Sequence, residues 1–98
     1  MTRQLRYHST AQRDFTNLAD RSERECGNAR TRRYLDEIER TIRSIVENPM
    51  LGHDAQLPHV DLRRVTAGRD VIFFTFNDRE VQIVRILHDR MDFEGRLK

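Results

Sequence analysis

The run Val71-Ile72-Phe73-Phe74-Thr75-Phe76 constrains this chain more than any other six residues. Side chains along a strand point alternately to opposite faces, so this run carries apolar groups to both sides of any sheet it joins. Val60–Thr66 and Val81–His88 flank it as further strands. Gly68-Arg69-Asp70 and Asn77-Asp78-Arg79 separate the three, and both are turn-formers that favour hairpins. Strict alternation in the last strand sets Val84 and Ile86 opposite Val81, Ile83 and Leu87.

Helical patterns precede these strands. Arg3-Gln4-Leu5-Arg6-Tyr7-His8 alternates as a half-buried strand does. Ser9-Thr10-Ala11-Gln12 then has the spacing of a capping box, with Ser9 as the cap and Gln12 reaching back. Ala11, Phe15, Leu18 and Ala19 follow at helical spacing. Cys26-Gly27 ends the helix, because glycine readily takes the left-handed terminal conformation. A second helix carries one stripe of Leu35, Ile38, Ile42, Ile45 and Val46, with Tyr34 at its edge. Asp36, Glu37, Glu39, Arg40 and Arg43 occupy its remaining surface, and Glu39 precedes Arg43 by four, the favourable order for a helix pair. Asn48-Pro49 stops it, since a residue before proline is pushed away from helical angles. Joined at Gly27-Asn28, the two helices read as an antiparallel hairpin.

Met50 to His59 holds Gly52, Pro58 and little periodicity, which predicts a loop; Met91 to Lys98 predicts a short tail with one helical turn. The order is β-α-α-β-β-β, an α+β fold with a helix hairpin packed on a small antiparallel-rich sheet. That hairpin covers one face. The other is left as an exposed apolar patch, a layer closed by the twist of the sheet, or a docking surface.

Ninety-eight residues leave room for one domain, 1–98. With 37% apolar and 35% charged residues, the core is thin, and a partner that binds only the folded form would add stability by mass action. Lys plus Arg number 18 against 16 Asp plus Glu, a net charge of +2, and Lys98 is the sole lysine. Arginine's planar fork suits carboxylate or phosphate, yet so small a net charge demands neither an acidic partner nor a nucleic acid. Without stacked aromatics beside the arginines, direct reading of DNA or RNA is not expected.

Cys26 is the one cysteine, so no internal disulfide forms, which suits a reducing compartment. Beside Gly27 it reads as a small buried residue rather than a nucleophile. Met1 to Gln12 lacks the apolar centre of a signal peptide. The longest apolar stretch, Val71–Phe74, is far short of the ~20 residues of a membrane span. A cytoplasmic protein without membrane contact is expected. His53 and His59 flank a loop with Asp54 and Asp61, but their spacing fits no tight ligand pattern, so neither metal nor cofactor is expected.

Ile86-Leu87-His88-Asp89-Arg90-Met91-Asp92 resembles the I-L-H-x-R-M-D ending of ParE toxins, in the RelE/ParE superfamily. Asn48-Pro49-Met50-Leu51-Gly52 is similar to the N-P-x-x-G that follows the second helix in those toxins. Leu62-Arg63-Arg64, Gly68-Arg69 and Ile72-Phe73-Phe74 are similar to the family's L-R, G-H/R and I-F-Y pattern. In this order and at these spacings the motifs span essentially the whole chain. The resemblance implies the RelE/ParE-like fold and the toxin of a type II toxin–antitoxin system. It implies a ParD-like antitoxin that dimerises through a DNA-binding domain and wraps a largely helical tail around the toxin, so that DNA is met only through the antitoxin. DNA gyrase is the implied target of a ParE-like inhibitor. The RelE-like alternative is ribosome-dependent cleavage of mRNA, and a third reading is a non-toxic interaction module. Under the resemblance Phe15, Leu18, Phe73, Phe74, Phe76, Val84 and Ile86 are candidate antitoxin contacts. Arg64, Arg69, His88 and Arg90 are candidate target contacts. Two residues depart from the pattern: Asp70 stands where an aromatic is commoner, and Phe74 replaces a tyrosine, removing a hydroxyl.

Cleavage by 2′-hydroxyl attack needs a base, an acid for the leaving oxygen and cations for the charge developing on phosphate. His88, Arg63 and Arg85 are the alternative catalytic set, since an antiparallel sheet brings the strands holding Arg63 or Arg64 and Arg85 together. Against it, a histidine at a strand end is commonly a hydrogen-bonded structural residue. Arg85, among Ile83 and Leu87, is satisfied by an ion pair with Asp92 or Glu94. The several lysines, extra acid or tyrosine that ribonuclease members carry at the cleft have no counterparts, for Lys98 is remote and Tyr7 and Tyr34 lie early. The sequence favours a protein inhibitor over an enzyme.

Overall fold

In the computed structural model, residues 3–58, 60–91 and 93–97 are described, the Glu94 side chain excepted. Strand β1 (Gln4–Tyr7) leads into α1 (Ser9–Glu47), and a 3-10 turn (Pro49–Leu51) follows. Then come β2 (His53–Asp54), β3 (Arg63–Ala67), β4 (Asp70–Phe76), β5 (Glu80–His88) and the short α2 (Phe93–Arg96). The sheet runs β1-β5-β4-β3-β2. β1 lies parallel to β5, and the other pairs are antiparallel.

Helix α1 breaks at Gly27, whose φ of 78° and ψ of 175° are non-helical and whose positive φ glycine alone takes without strain. A straight helix of its 39 residues would run about 58 Å, yet the longest extent of the molecule is 38 Å. The chain therefore doubles back. The Ser22 and Thr31 hydroxyls, nine residues apart, lie 3.1 Å from each other, where a continuous helix would separate them by about 13 Å. The expected hairpin is present. Its cap differs: His8, not Ser9, is the N-cap, and its Nδ1 accepts from the Thr10 N–H at 3.2 Å.

Register explains how the sheet serves two layers. Ile72 pairs with Ile86 and Phe73 with Arg85, but Phe74 pairs with Ile83, so β5 carries an extra residue opposite Phe73/Phe74. Such a bulge inverts the alternation beyond it. Val81, Ile83 and Ile86 all face the helix layer, whereas Val84 and Leu87 face away. The strict alternation read from the sequence, which grouped Ile83 with Leu87 and Val84 with Ile86, is corrected by that single residue.

Between α1 and the sheet, Leu18, Ile38, Ile42 and Ile45 pack on Ile72, Phe74, Val81 and Ile83. Gly52 belongs to this contact, since a Cβ there would come within 2.5 Å of the Phe74 ring. On the opposite face Val71, Phe73 and Leu87 are covered by Ala55, Leu57, Val60 and Leu62 from the β2–β3 connection and by Met91, Phe93 and Leu97 from the tail. Phe93 meets Phe73 edge-on, with centroids 5.2 Å apart. This corrects the expectation of an uncovered second face: Val71, Phe73 and Leu87 are roofed by the chain's own loop and tail. The loop expected over 50–59 also contains β2, and Val60 bridges Leu57 instead of opening β3.

Phe73, with no exposed surface, tests that roof. Phe73→Ala is expected to cost about 3–5 kcal/mol in urea denaturation of the isolated chain, and Phe93→Ala, at the half-buried side of the same ring pair, distinctly less. A Phe73→Ala loss below about 1 kcal/mol would mean the outer layer is not closed.

Candidate functional site

Asp70 begins β4, pairing with Ala67 on one side and His88 on the other. Its side chain is buried at 1% exposure, a costly place for a carboxylate without partners. Arg21, from the first half of α1, places Nη2 3.1 Å from both carboxylate oxygens. Tyr34, from the second half, donates its hydroxyl to Asp70 Oδ2. That hydroxyl also lies 3.0 Å from the Ala67 carbonyl and accepts the Arg69 N–H at 3.2 Å. Burial, then the hydrogen bond and charge of Asp70, push the Tyr34 pKa well above its ordinary 10. Gly68 makes room for the ring: with φ +59°, a Cβ there would lie 2.4 Å from Tyr34 Cε1. The residue that departs from the family pattern is thus the hub joining both arms of the hairpin to the sheet.

Over this hub opens a cleft of about 400 Å³, lined by Arg21, Ser22, Glu25, Cys26, Arg30, Tyr34, Gly68, Arg69 and His88. Two target-contact candidates, Arg69 and His88, meet there. His88 Nδ1 accepts from the Arg90 N–H at 3.2 Å, and the Asp89 carboxylate approaches the same nitrogen at 3.1 Å. Arg90 itself is exposed on the turn beyond, while Arg64 is exposed on β3, paired with His53 and Phe73 and outside the cleft. Cys26 is exposed at the hairpin tip, not buried as expected, because the chain turns immediately after it.

The residues of the alternative catalytic set sit at separate positions along the sheet, each with its own partners. Arg63 Nη2 donates to the Gly52 carbonyl, its guanidinium carbon sits 5.9 Å from the Phe76 ring centroid, and its buried Nε has no hydrogen-bond partner among the described residues. Arg85 grips Asp14 through Nε and Nη2 at 2.7 and 3.0 Å and reaches the Arg96 carbonyl at 3.2 Å. Asp14 also accepts the Ile86 N–H at 3.0 Å. The partner of Arg85 is therefore Asp14 on α1; Asp92 and the Glu94 side chain, expected from the sequence to fill that role, lie outside the described residues. His88 is three residues further along β5, about 10 Å. Arg63 aligns through Phe74 with Ile83, five residues from His88 and about 17 Å along the strand direction.

Of the candidate antitoxin contacts, Leu18, Phe73, Phe74 and Ile86 are core residues, and Phe15, Phe76 and Val84 are half-buried. Their apolar character is used by the fold itself. His53 and Asp54 are exposed on β2, Asp54 accepts the Gln56 N–H at 2.7 Å, and His59 lies outside the described residues. Sequence reasoning missed Arg21, Tyr34 and Asp14 as members of polar clusters; the one signal was Asp70, read in a turn and standing where the family more often has an aromatic. Among the described residues no helix is long and apolar enough to cross a membrane.

Solved structures share this architecture. The chromosomal ParDE system of P. aeruginosa matches with a TM-score of 0.74 at 18% identity, over 89% of this chain and 96% of that one. The E. coli DinJ-YafQ toxin–antitoxin complex matches at 0.61 and 10%, over 90% and 93%. The fold is one found in solved toxin–antitoxin systems. Residues 5–93 match the family described as ParE toxin of type II toxin-antitoxin system, parDE, and the chain belongs to that family. Toxin ParE1 of Caulobacter vibrioides is 30% identical over 87 residues, 89% of this chain and 90% of that protein. Toxin ParE1 of Mycobacterium tuberculosis is 29% identical over 65 residues, 65% of this chain and 66% of that one.

Tyr34 makes the hub testable by pH. Its raised pKa means the folded chain keeps the phenolic proton where the unfolded chain releases it, so stability is full below about pH 10 and falls above it. Tyr7, raised by burial and then by Glu39, adds to the same fall. Urea melts between about pH 10 and 11.5 should show Tyr34→Phe with a shallower decline, by up to one proton or about 1.4 kcal/mol per pH unit. Equal slopes would contradict the buried hydroxyl.

Proposed function

We propose that this ParE-family chain acts in the cytoplasm by binding and inhibiting an essential target, DNA gyrase, and that a ParD-like antitoxin neutralises it. Family membership supports the toxin role. The dispersal of Arg63, Arg85 and His88 carries the choice of inhibition over cleavage. Two of the three are committed to ties within the chain, Arg63 to Gly52 and Arg85 to Asp14, and phosphoryl chemistry needs its acid, base and cation around one phosphate. The fold likeness to a ParDE system agrees with a paired antitoxin. Exposed Arg64, Arg69 and Arg90, with half-buried His88, remain the surface proposed for the target.

Induced alone, the chain is expected to block replication and give filamentous cells, and the purified protein to inhibit supercoiling by gyrase. His88→Ala should keep most of both effects. Rapid arrest of translation, abolished by His88→Ala, would instead establish mRNA cleavage and overturn the inhibitor reading.

A further inference from the structure

The cleft over Asp70 is rich in hydrogen-bond donors, and its walls come from separate parts of the chain. Arg30 stands just past the Gly27 break, and Arg69 stands in the β3–β4 turn. Both are exposed, and among the described residues neither has a carboxylate within ion-pair distance. Arg21 lies in the floor. Only its Nη2 meets Asp70, so Nε and Nη1 keep N–H groups, while the pair fixes the guanidinium in place. Tyr34 cannot add negative charge, because its raised pKa keeps it neutral at ordinary pH.

Two further features favour an anion. The second arm of α1 restarts after the non-helical Gly27, so its first N–H groups lack helical acceptors and its dipole presents a positive end. His88 Nδ1 faces both the Arg90 N–H and the Asp89 carboxylate, and in the tautomer that accepts from Arg90 the ring proton stands on Nε2 as a donor. Among the lining residues Glu25 is the one carboxylate beside Arg21, Arg30 and Arg69, and Asp89 lies 3.1 Å from His88 Nδ1. A carboxylate ligand would fill one guanidinium fork. Several forks lining one cleft suit a tetrahedral dianion, whose oxygens can meet more than one of them.

We infer that the Arg30–Arg69–His88 cleft is a binding site for a phosphate dianion, carried by a free nucleotide or by the 5′ end of an oligonucleotide. The site shares Arg69 and His88 with the surface proposed for the target, but phosphate binding there is read without gyrase and stands or falls apart from its inhibition. No covalent step is involved, and the hub of Asp70, Arg21 and Tyr34 is its fixed base.

Amide NMR titration of the purified full chain tests it, with inorganic pyrophosphate, a 5′-phosphorylated RNA tetranucleotide and the same tetranucleotide without its phosphate. Pyrophosphate is expected to shift the Gly68, Arg69 and His88 amides. Arg30→Ala and Arg69→Ala should each weaken binding roughly tenfold. Arg79→Ala, in the turn at the opposite end of β4, should leave it unchanged. Binding of the phosphorylated tetranucleotide but not its counterpart identifies an oligonucleotide end as a source, and binding of pyrophosphate with neither tetranucleotide supports a small free phosphate ligand instead. No shift at these amides with about 10 mM pyrophosphate, a range that covers weak single-site affinities, would overturn the inference. So would an equal loss in Arg79→Ala, which would reveal diffuse charge. Mapping the shifts on the unaltered chain locates the site even if a variant folds poorly.

Discussion

Ile72 and Phe74 point from β4 into the helix layer while Val71 and Phe73 point away from it, and none of the four exceeds 5% exposure. A strand buried on both faces needs two layers, and a chain with 37% apolar residues has only one amphipathic hairpin to offer. The second layer is assembled from irregular pieces: the 55–62 connection and the tail through Leu97. The rest of the architecture follows from this arrangement. β5 must supply apolar groups to both layers over nine residues, and the bulge opposite Phe73/Phe74 lets it do so. Gly52 lets the Phe74 ring close against the backbone that leads into β2.

The polar counterpart is the Asp70 hub. A hairpin held only by apolar contacts has little to fix its angle on the sheet, whereas a carboxylate that takes Arg21 from one arm and Tyr34 from the other sets both at once. Asp14 and Arg85 make a second tie between the start of α1 and β5. Both ion pairs are largely sheltered, which makes the loss of one partner expensive although the net gain of the intact pair is modest. The Asp70 hub also shapes the cleft, whose lining includes Arg21 and Tyr34, so the stability of the fold and the geometry of this concavity depend on the same side chains.

The elements visible in the sequence were those with a regular period. The stripe of Leu35, Ile38, Ile42, Ile45 and Val46, the break at Gly27 and the three hairpin strands all carry local signals, and the family motifs lie on them. What periodicity could not reveal was long-range. Leu57, Val60, Met91, Phe93 and Leu97 follow no pattern, so their joint role as a roof over Phe73 was invisible. The bulge inverted the reading of Val84 and Ile86 because one extra residue leaves no local mark. Of the candidate site, Arg69 and His88 were legible and do meet. Arg63 and Arg85 suggested chemistry, and the sequence did not show that each is engaged within the chain, by Gly52 and Asp14, 11 and 71 residues away.

Native-state hydrogen exchange on the isolated chain, read at the β4 amides of Ile72, Phe73 and Phe74, probes the two-layer core directly. If the chain's own loop and tail complete that core, these amides exchange only through global unfolding, with free energies matching those from urea denaturation. Exchange through openings several kcal/mol cheaper, or protection that develops only when an antitoxin is added, would show that the second layer is not the chain's own.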